Sequence, residues 1–219
     1  LGEVMSAAAA RAADRLEAQA GRAANLLDEM VATTFEVIAD TTFSGDAGVD
    51  RDVVLRAMEA YGMAAGKMSF LDVLGAPDWV PRPARLRPAP EMTRMIDLAD
   101  ETIAARRGRD RDGPPDLLDL LLRAEGPELD AVDIRDNLLA FIVAGHETTA
   151  LTLAWAFYLL SLSPQVQARA QAEARDVLGA RVATAEDLPR LPFVRAVIDE
   201  TLRLYPPAGF LSRMAAEPD

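Results

Sequence analysis

The chain has 219 residues, half of them apolar and 5% aromatic, with 23 basic against 35 acidic side chains and a net charge of −12. That acidic excess disfavours nucleic acid or an anionic membrane as a partner. There is no cysteine and His146 is the only histidine, which excludes a disulfide framework, a thiolate zinc site, a thiol nucleophile and a multi-histidine metal site within this chain.

Alanine, leucine, arginine and glutamate favour helix and β-branched runs are few, so a mainly α fold with little or no sheet is expected. Lys67 is the only lysine among many arginines, a codon-usage signature more than a functional one. No run of about 20 uninterrupted apolar residues appears, so no membrane span is expected. The opening LGEVMSAAAARAADRLEAQA is amphipathic and charged throughout, unlike a signal peptide. The chain starts without methionine and stops at AAEPD, which reads as a fragment.

Residues 5–30 repeat small or apolar side chains at helical spacing, and VATTFEVIADTTF over 31–43 predicts a second helix stopped at Ser44-Gly45. Asp50 is placed to cap a third helix running to about Lys67. Five prolines in residues 75–90 predict a long, semi-rigid loop. A further helix is expected over 91–107, closed by RRGRDRDG, whose mixed charges read as a solvated loop. PDLLDLLLRA over 115–124 predicts a short helix ended by Gly126-Pro127. The longest apolar-periodic segment runs from Asp133 to about Leu162. Pro164 restarts a helix that ends at Gly179, and a last helix over about 193–204 stops before Pro206-Pro207. The tail after Pro207 reads as extended.

The segment LLAFIVAGHETTALTLAWAFYLL is apolar nearly all round, which predicts a helix buried on all sides. Its polar break is therefore the feature to explain. Phe141, Ala144, Gly145, Thr148 and Thr152 share one stripe, small at its middle, where something flat could approach the backbone. The Thr148 hydroxyl is placed to bond back to the Ala144 carbonyl, and Gly145 weakens the same turn. Glu147 adds an ionisable group. A polar patch facing another helix or a crevice is the plainer reading, and His146 reads as a satisfied histidine rather than a metal ligand.

Near the end, ETLRLYPP places Glu200 and Arg203 on one helix face. Such pairs are common and mostly solvated. The apolar neighbours Val197, Ile198, Leu202 and Leu204 favour a buried, structural pair here.

AGHETT in a long apolar helix, followed 53 residues later (200 − 147) by ETLR before Leu-Tyr-Pro-Pro, resembles the cytochrome P-450 family of haem-thiolate monooxygenases. The match uses Ala144, Gly145, Glu147, Thr148 and Thr149, then Glu200 and Arg203. The likeness extends through residues 1–219, as part of a catalytic domain of the cytochrome P-450 fold. It implies helices packed around a long central helix, with amino- and carboxy-terminal parts absent. It also implies haem b, with the ligand cysteine outside this chain and no metal ligand within it.

In that family the haem iron binds O₂ and one oxygen atom enters an organic substrate. The resemblance implies that Glu147 and Thr148 are catalytic, Thr148 by hydrogen bonding to bound oxygen and water and Glu147 by relaying protons. It places Ala144, Gly145, Thr149 and Arg213 against the haem. Glu200 and Arg203 become a structural pair supporting the ligand loop. Phe141, Ala208, Gly209, Phe210 and Leu211 would line the pocket of a lipophilic substrate, with parts of residues 50–95. A ferredoxin or flavoprotein reductase is implied as electron donor, and a bacterial cytoplasmic location, although an anchor could lie in the missing amino-terminal part. The fragment alone is expected to be inactive. Two alternatives stand: a peroxygenase on the same fold, disfavoured by the Glu147-Thr148 pair, and a truncated helical interaction protein without catalysis.

Overall fold

A computed structural model describes residues 2–43, 90–108, 115–127 and 129–209. The third helix near Asp50–Lys67, the proline-rich loop and the tail carrying Phe210, Leu211 and Arg213 lie outside them. Seven α-helices are described: α1 (Gly2–Glu17), α2 (Leu26–Phe43), α3 (Pro90–Arg106), α4 (Leu117–Arg123), α5 (Ala131–Leu162), α6 (Pro164–Leu178) and α7 (Pro192–Leu204). A 3-10 helix spans Ala185–Arg190. No β-strand occurs among the described residues; one isolated antiparallel bridge joins Gly126 and Leu129. The mainly α expectation holds.

The chain forms two compact units, one of Leu1–Ile38 with Ala144–Asp219 and one of Ala39–Val143. In the first unit, Ala8 and Ala12 of α1, Met30 and Phe35 of α2, and His146, Ala150 and Ala156 of α5 are buried. Arg15 ties α1 to α2, donating to Glu29 at 2.6 Å, Glu36 at 2.9 Å and Thr33 at 3.2 Å. The break between these helices comes at residues 18–25, earlier than the alanine-rich spacing of 5–30 predicts. Its cause is local: Asn25 caps α2, its Oδ1 accepting from the Leu27 backbone N–H at 3.1 Å.

At the other end of this unit, Pro164 and Pro192 begin α6 and α7, where a missing N–H costs nothing. Gly179 closes α6 at φ 61°, a conformation that favours glycine. α6 packs on α7, and Glu173 of α6 accepts from the Phe193 and Val194 backbone N–H groups at 2.9 and 2.8 Å. One carboxylate thus satisfies two orphan donors at a positive helix end. Replacing Glu173 by alanine is expected to cost about 1–2 kcal/mol, read as a lower urea midpoint with an unchanged slope.

Sequence reasoning missed the 3-10 helix. Asp187 is its anchor, accepting from Arg181 at 2.5 and 2.6 Å and from the Thr184 backbone N–H at 2.9 Å. The Arg181 hydrogen bonds, with help from Thr184, hold the Asp187 carboxyl well below the usual carboxylate range. A depressed folded pKa contributes stability that is present above the ordinary carboxylate value and is lost as pH falls toward the folded one. Asp187→Asn is therefore expected to flatten the acid limb of the stability–pH curve, measured by urea melts from neutral pH downward.

In the second unit, Met95, Leu98, Ala99 and Ile103 of α3, Leu118 of α4, and Ile134, Leu138 and Ile142 of α5 are buried at the hydrophobic spacing of helices. Arg106, expected to open a solvated loop, is instead 5% exposed and bonds Asp116 at 2.7 Å and Asp119 at 2.9 Å. These two aspartates also form the capping box of α4, so one cluster fixes the arginine and starts a helix. Arg107, one residue on, is exposed and pairs with Glu125.

Helix α5 is a continuous α-helix over 32 residues. Asp130 caps it, its Oδ1 accepting from the Val132 and Asp133 backbone N–H groups. Those bonds, that to Asp133 first, hold the Asp130 carboxyl below its ordinary value. Length and composition alone would let α5 cross a bilayer, a criterion that the core helix of a water-soluble protein also meets. Burial on all sides is not found either. Phe141, Phe157 and Tyr158 are exposed, as is Leu162 at 63%.

Candidate functional site

The polar break of α5 is built as its spacing predicts, and repeated. Thr148 Oγ1 donates to the Ala144 carbonyl at 2.8 Å, Thr149 Oγ1 to that of Gly145 at 3.0 Å, and Thr152 Oγ1 to that of Thr148 at 2.9 Å. Each hydroxyl spends its proton on the helix and keeps lone pairs that can accept from a ligand or water. Ala144, Glu147, Thr148 and Thr149 are exposed.

The turn has two faces. His146 is 1% exposed, its ring edge-on to Phe35 of α2 with centroids 5.9 Å apart. A Cβ placed on Gly145 would lie 2.6 Å from Ile38 Cδ1 of α2. So Gly145 and His146 face a neighbouring helix, and the glycine has a packing reason. No group of three or more potential metal-ligating side chains occurs among the described residues.

The threonines open on a groove of about 440 Å³. Thr148, Thr149, Thr152 and Leu153 form one wall, Ile198 and Leu202 of α7 another, and Pro207 and Ala208 the end. Of the pocket residues inferred from sequence, the structure brings Ala208 here. Gly209 follows it in the chain, and Phe141 is exposed on α5. Sequence reasoning missed Leu153, Ile198 and Leu202; their signal was the apolar spacing of α5 and α7. A ring stack joins α5 to the residue that follows α7. Tyr205 lies on Trp155 with centroids 4.2 Å apart and planes at 8°, worth about 0.5–1.5 kcal/mol beyond burial.

Glu200 and Arg203 do pair, with Arg203 Nε donating to Oε2 at 2.7 Å and Nη2 to Oε1 at 2.6 Å. The pair is not buried: its side chains are 54% and 65% exposed. The α7 positions turned inward are Thr201 and its neighbours Val194, Val197 and Ile198, and the ion pair lies off that face. The Arg203 guanidinium holds the Glu200 carboxyl below its ordinary value.

An apolar groove with a few hydroxyls on one wall suits a flat, largely apolar group, with polar contact at one edge. The residues fit a porphyrin in that respect and supply no thiolate for its iron, since the chain has no cysteine. The arrangement is a helical unit with an apolar groove beside a hydroxyl-bearing helix. Comparison with known proteins makes the class specific. The chain belongs to the cytochrome P450 family, whose model matches residues 1–219.

Two curated relatives come from Streptomyces melanosporofaciens. Cyclooctat-9-en-7-ol 5-monooxygenase is 38% identical over 90% of this chain and 43% of its own length. Cyclooctatin synthase is 30% identical over 90% of this chain and 44% of its own. Among solved structures, the cytochrome P450DA heme domain superposes with TM-score 0.72 at 30% identity, covering 92% of this chain and 45% of that one. A zebrafish cytochrome P450 determined with progesterone shares the fold, at TM-score 0.77 and 24% identity. The chain thus spans somewhat under half the length of the relatives it matches.

Proposed function

We propose that this chain is the middle part of the catalytic domain of a haem-dependent monooxygenase that inserts one atom of O₂ into a lipophilic organic substrate. The observation that carries the reading is the row of α5 hydroxyls opening on an apolar groove, in a chain of this family. Haem b would supply the oxygen chemistry, with its cysteine ligand outside residues 1–219. Ala144 and Thr149 would pack against it, Gly145 would let the turn sit close to α2 and so leave room for it, and Arg213 would pair with a propionate.

The chain's own residues then have separable tasks. Thr148 Oγ1 holds a proton on the Ala144 carbonyl and can turn it outward into the groove, while its lone pairs accept from water. Glu147, exposed on the same turn, takes protons from solvent and passes them inward. Leu153, Ile198 and Leu202 keep bulk water away and hold an apolar substrate, with Ala208 at the end of the groove. The name of the 38% identical relative supports a lipophilic substrate. A ferredoxin or flavoprotein would deliver electrons, and the Streptomyces relatives support a bacterial protein.

Turnover of the full-length protein with isotopically labelled O₂ and a panel of alicyclic alcohols tests this. One labelled atom in the product and one in water is the expected result; label from solvent water in the product would refute it. Arg203→Ala in the same protein is expected to abolish haem incorporation, measured as haem per polypeptide, because Glu200 and Arg203 would support the ligand loop.

A further inference from the structure

We infer that Phe35 and Ile38 of α2 are positioning residues that set where the Gly145–Thr149 turn of α5 stands, and so the space above the haem; the inference rests on the monooxygenase reading. Three successive hydroxyl back-bonds, from Thr148, Thr149 and Thr152, act on this stretch. Such bonds bend and slightly weaken a helix. The packing behind the turn therefore shares in fixing its place within the continuous helix.

That packing is specific. Phe35 and Ile38 are three residues apart, on one face of α2. They meet two consecutive residues of α5: Phe35 lies against the buried His146 ring, and Ile38 against the bare Cα of Gly145. A Cβ on residue 145 would stand 2.6 Å from Ile38 Cδ1 and 3.4 Å from Cγ1. The first distance is an overlap and the second is a close contact. Ile38 thus touches the helix at the turn whose next residues carry the proton-handling side chains. A support displaced by half an ångström or so is enough to loosen a site of this kind.

The test uses the full-length holoprotein with two iron-binding probes, imidazole and the bulkier phenylimidazole, followed by the shift of the haem absorption band. Gly145→Ala puts a Cβ 2.6 Å from Ile38 Cδ1, so that either the Ile38 side chain or the turn must shift. It is expected to change the affinity ratio of phenylimidazole to imidazole by about tenfold and to lower the melting temperature. Ile38→Val removes Cδ1, so the Gly145→Ala/Ile38→Val double variant is expected to recover most of both losses. A contact that only stabilises the fold would move the melting temperature and leave the ratio alone. An unchanged ratio in Gly145→Ala would overturn the inference. So would a double variant that regains its melting temperature but not its ratio. A parent protein that takes up no haem would sink the monooxygenase reading itself, a result distinct from either.

Discussion

Thr148→Ala in the full-length enzyme is expected to cut product formed per reductant consumed by about tenfold, the loss of one hydrogen bond worth roughly 1.4 kcal/mol at the reacting step. Reductant consumption should continue, with hydrogen peroxide released in place of product. The reason lies in what the hydroxyl does. Its proton rests on the Ala144 carbonyl at 2.8 Å, and the residue lines the groove. Removing it takes away a donor and an acceptor at one point while leaving the apolar walls of Leu153, Ile198 and Leu202 intact. Substrate binding should therefore survive and proton delivery should not. Thr148→Ser keeps the hydroxyl and should retain most of the coupling. Thr148→Val keeps the shape and should fail like alanine. Peroxide and product, each measured against nicotinamide oxidised, decide it; full coupling in the alanine variant would remove Thr148 from the mechanism.

The largest expected effect on stability lies elsewhere. Arg106→Met should destabilise the protein by about 3–5 kcal/mol, because it strips a buried charge from two carboxylates that remain. The arginine side chain is 4% exposed, and those of Asp116 and Asp119 are 3% and 16% exposed. Burial works against the guanidinium charge, but the hydrogen bonds from Asp116 and Asp119 more than offset it and raise the arginine pKa. The charge is therefore held at every working pH. Arg107→Met is the control: its partner Glu125 is a surface residue, and such pairs contribute about 0–1 kcal/mol. Urea midpoints of the two variants, at constant slope, give the contrast. Equal losses would mean that the Arg106 cluster is no stronger than a solvated pair.

Much of the helical layout is legible in the sequence. α4, α6 and α7 announce themselves by capping aspartate, proline or glycine at their ends, and α5 by its length. The α1–α2 break is not, because alanine-rich spacing carries on through Gly21 and only the Asn25 side chain shows where the backbone turns. The 3-10 helix at Ala185–Arg190 was readable in principle, as the capping pattern of Thr184 and Asp187. Two errors have one cause, which is that charge patterning along a sequence does not report burial. Arg106 sits in an arginine-rich run and is buried by a carboxylate pair 10 and 13 residues on. Glu200 and Arg203 sit among apolar residues and are exposed, because the inward face of α7 passes through Thr201 instead.

The site divides in the same way. The hydroxyl of Thr148 and its carbonyl partner follow from four-residue spacing alone. The second helix against Gly145 and His146 does not, since Phe35 and Ile38 lie more than a hundred residues upstream and nothing local points to them. Glycine in the polar break suggested room for a flat ligand; the contact it makes here is with an isoleucine.

In the proposed monooxygenase the α5 turn would face a thiolate-ligated haem. The most direct test is the absorption spectrum of the reduced full-length protein under carbon monoxide. The strongly red-shifted Soret band of a thiolate-bound haem carbonyl is expected, at one haem per polypeptide. A protein that expresses folded but takes up no haem, or whose carbonyl band is that of histidine ligation, would contradict it.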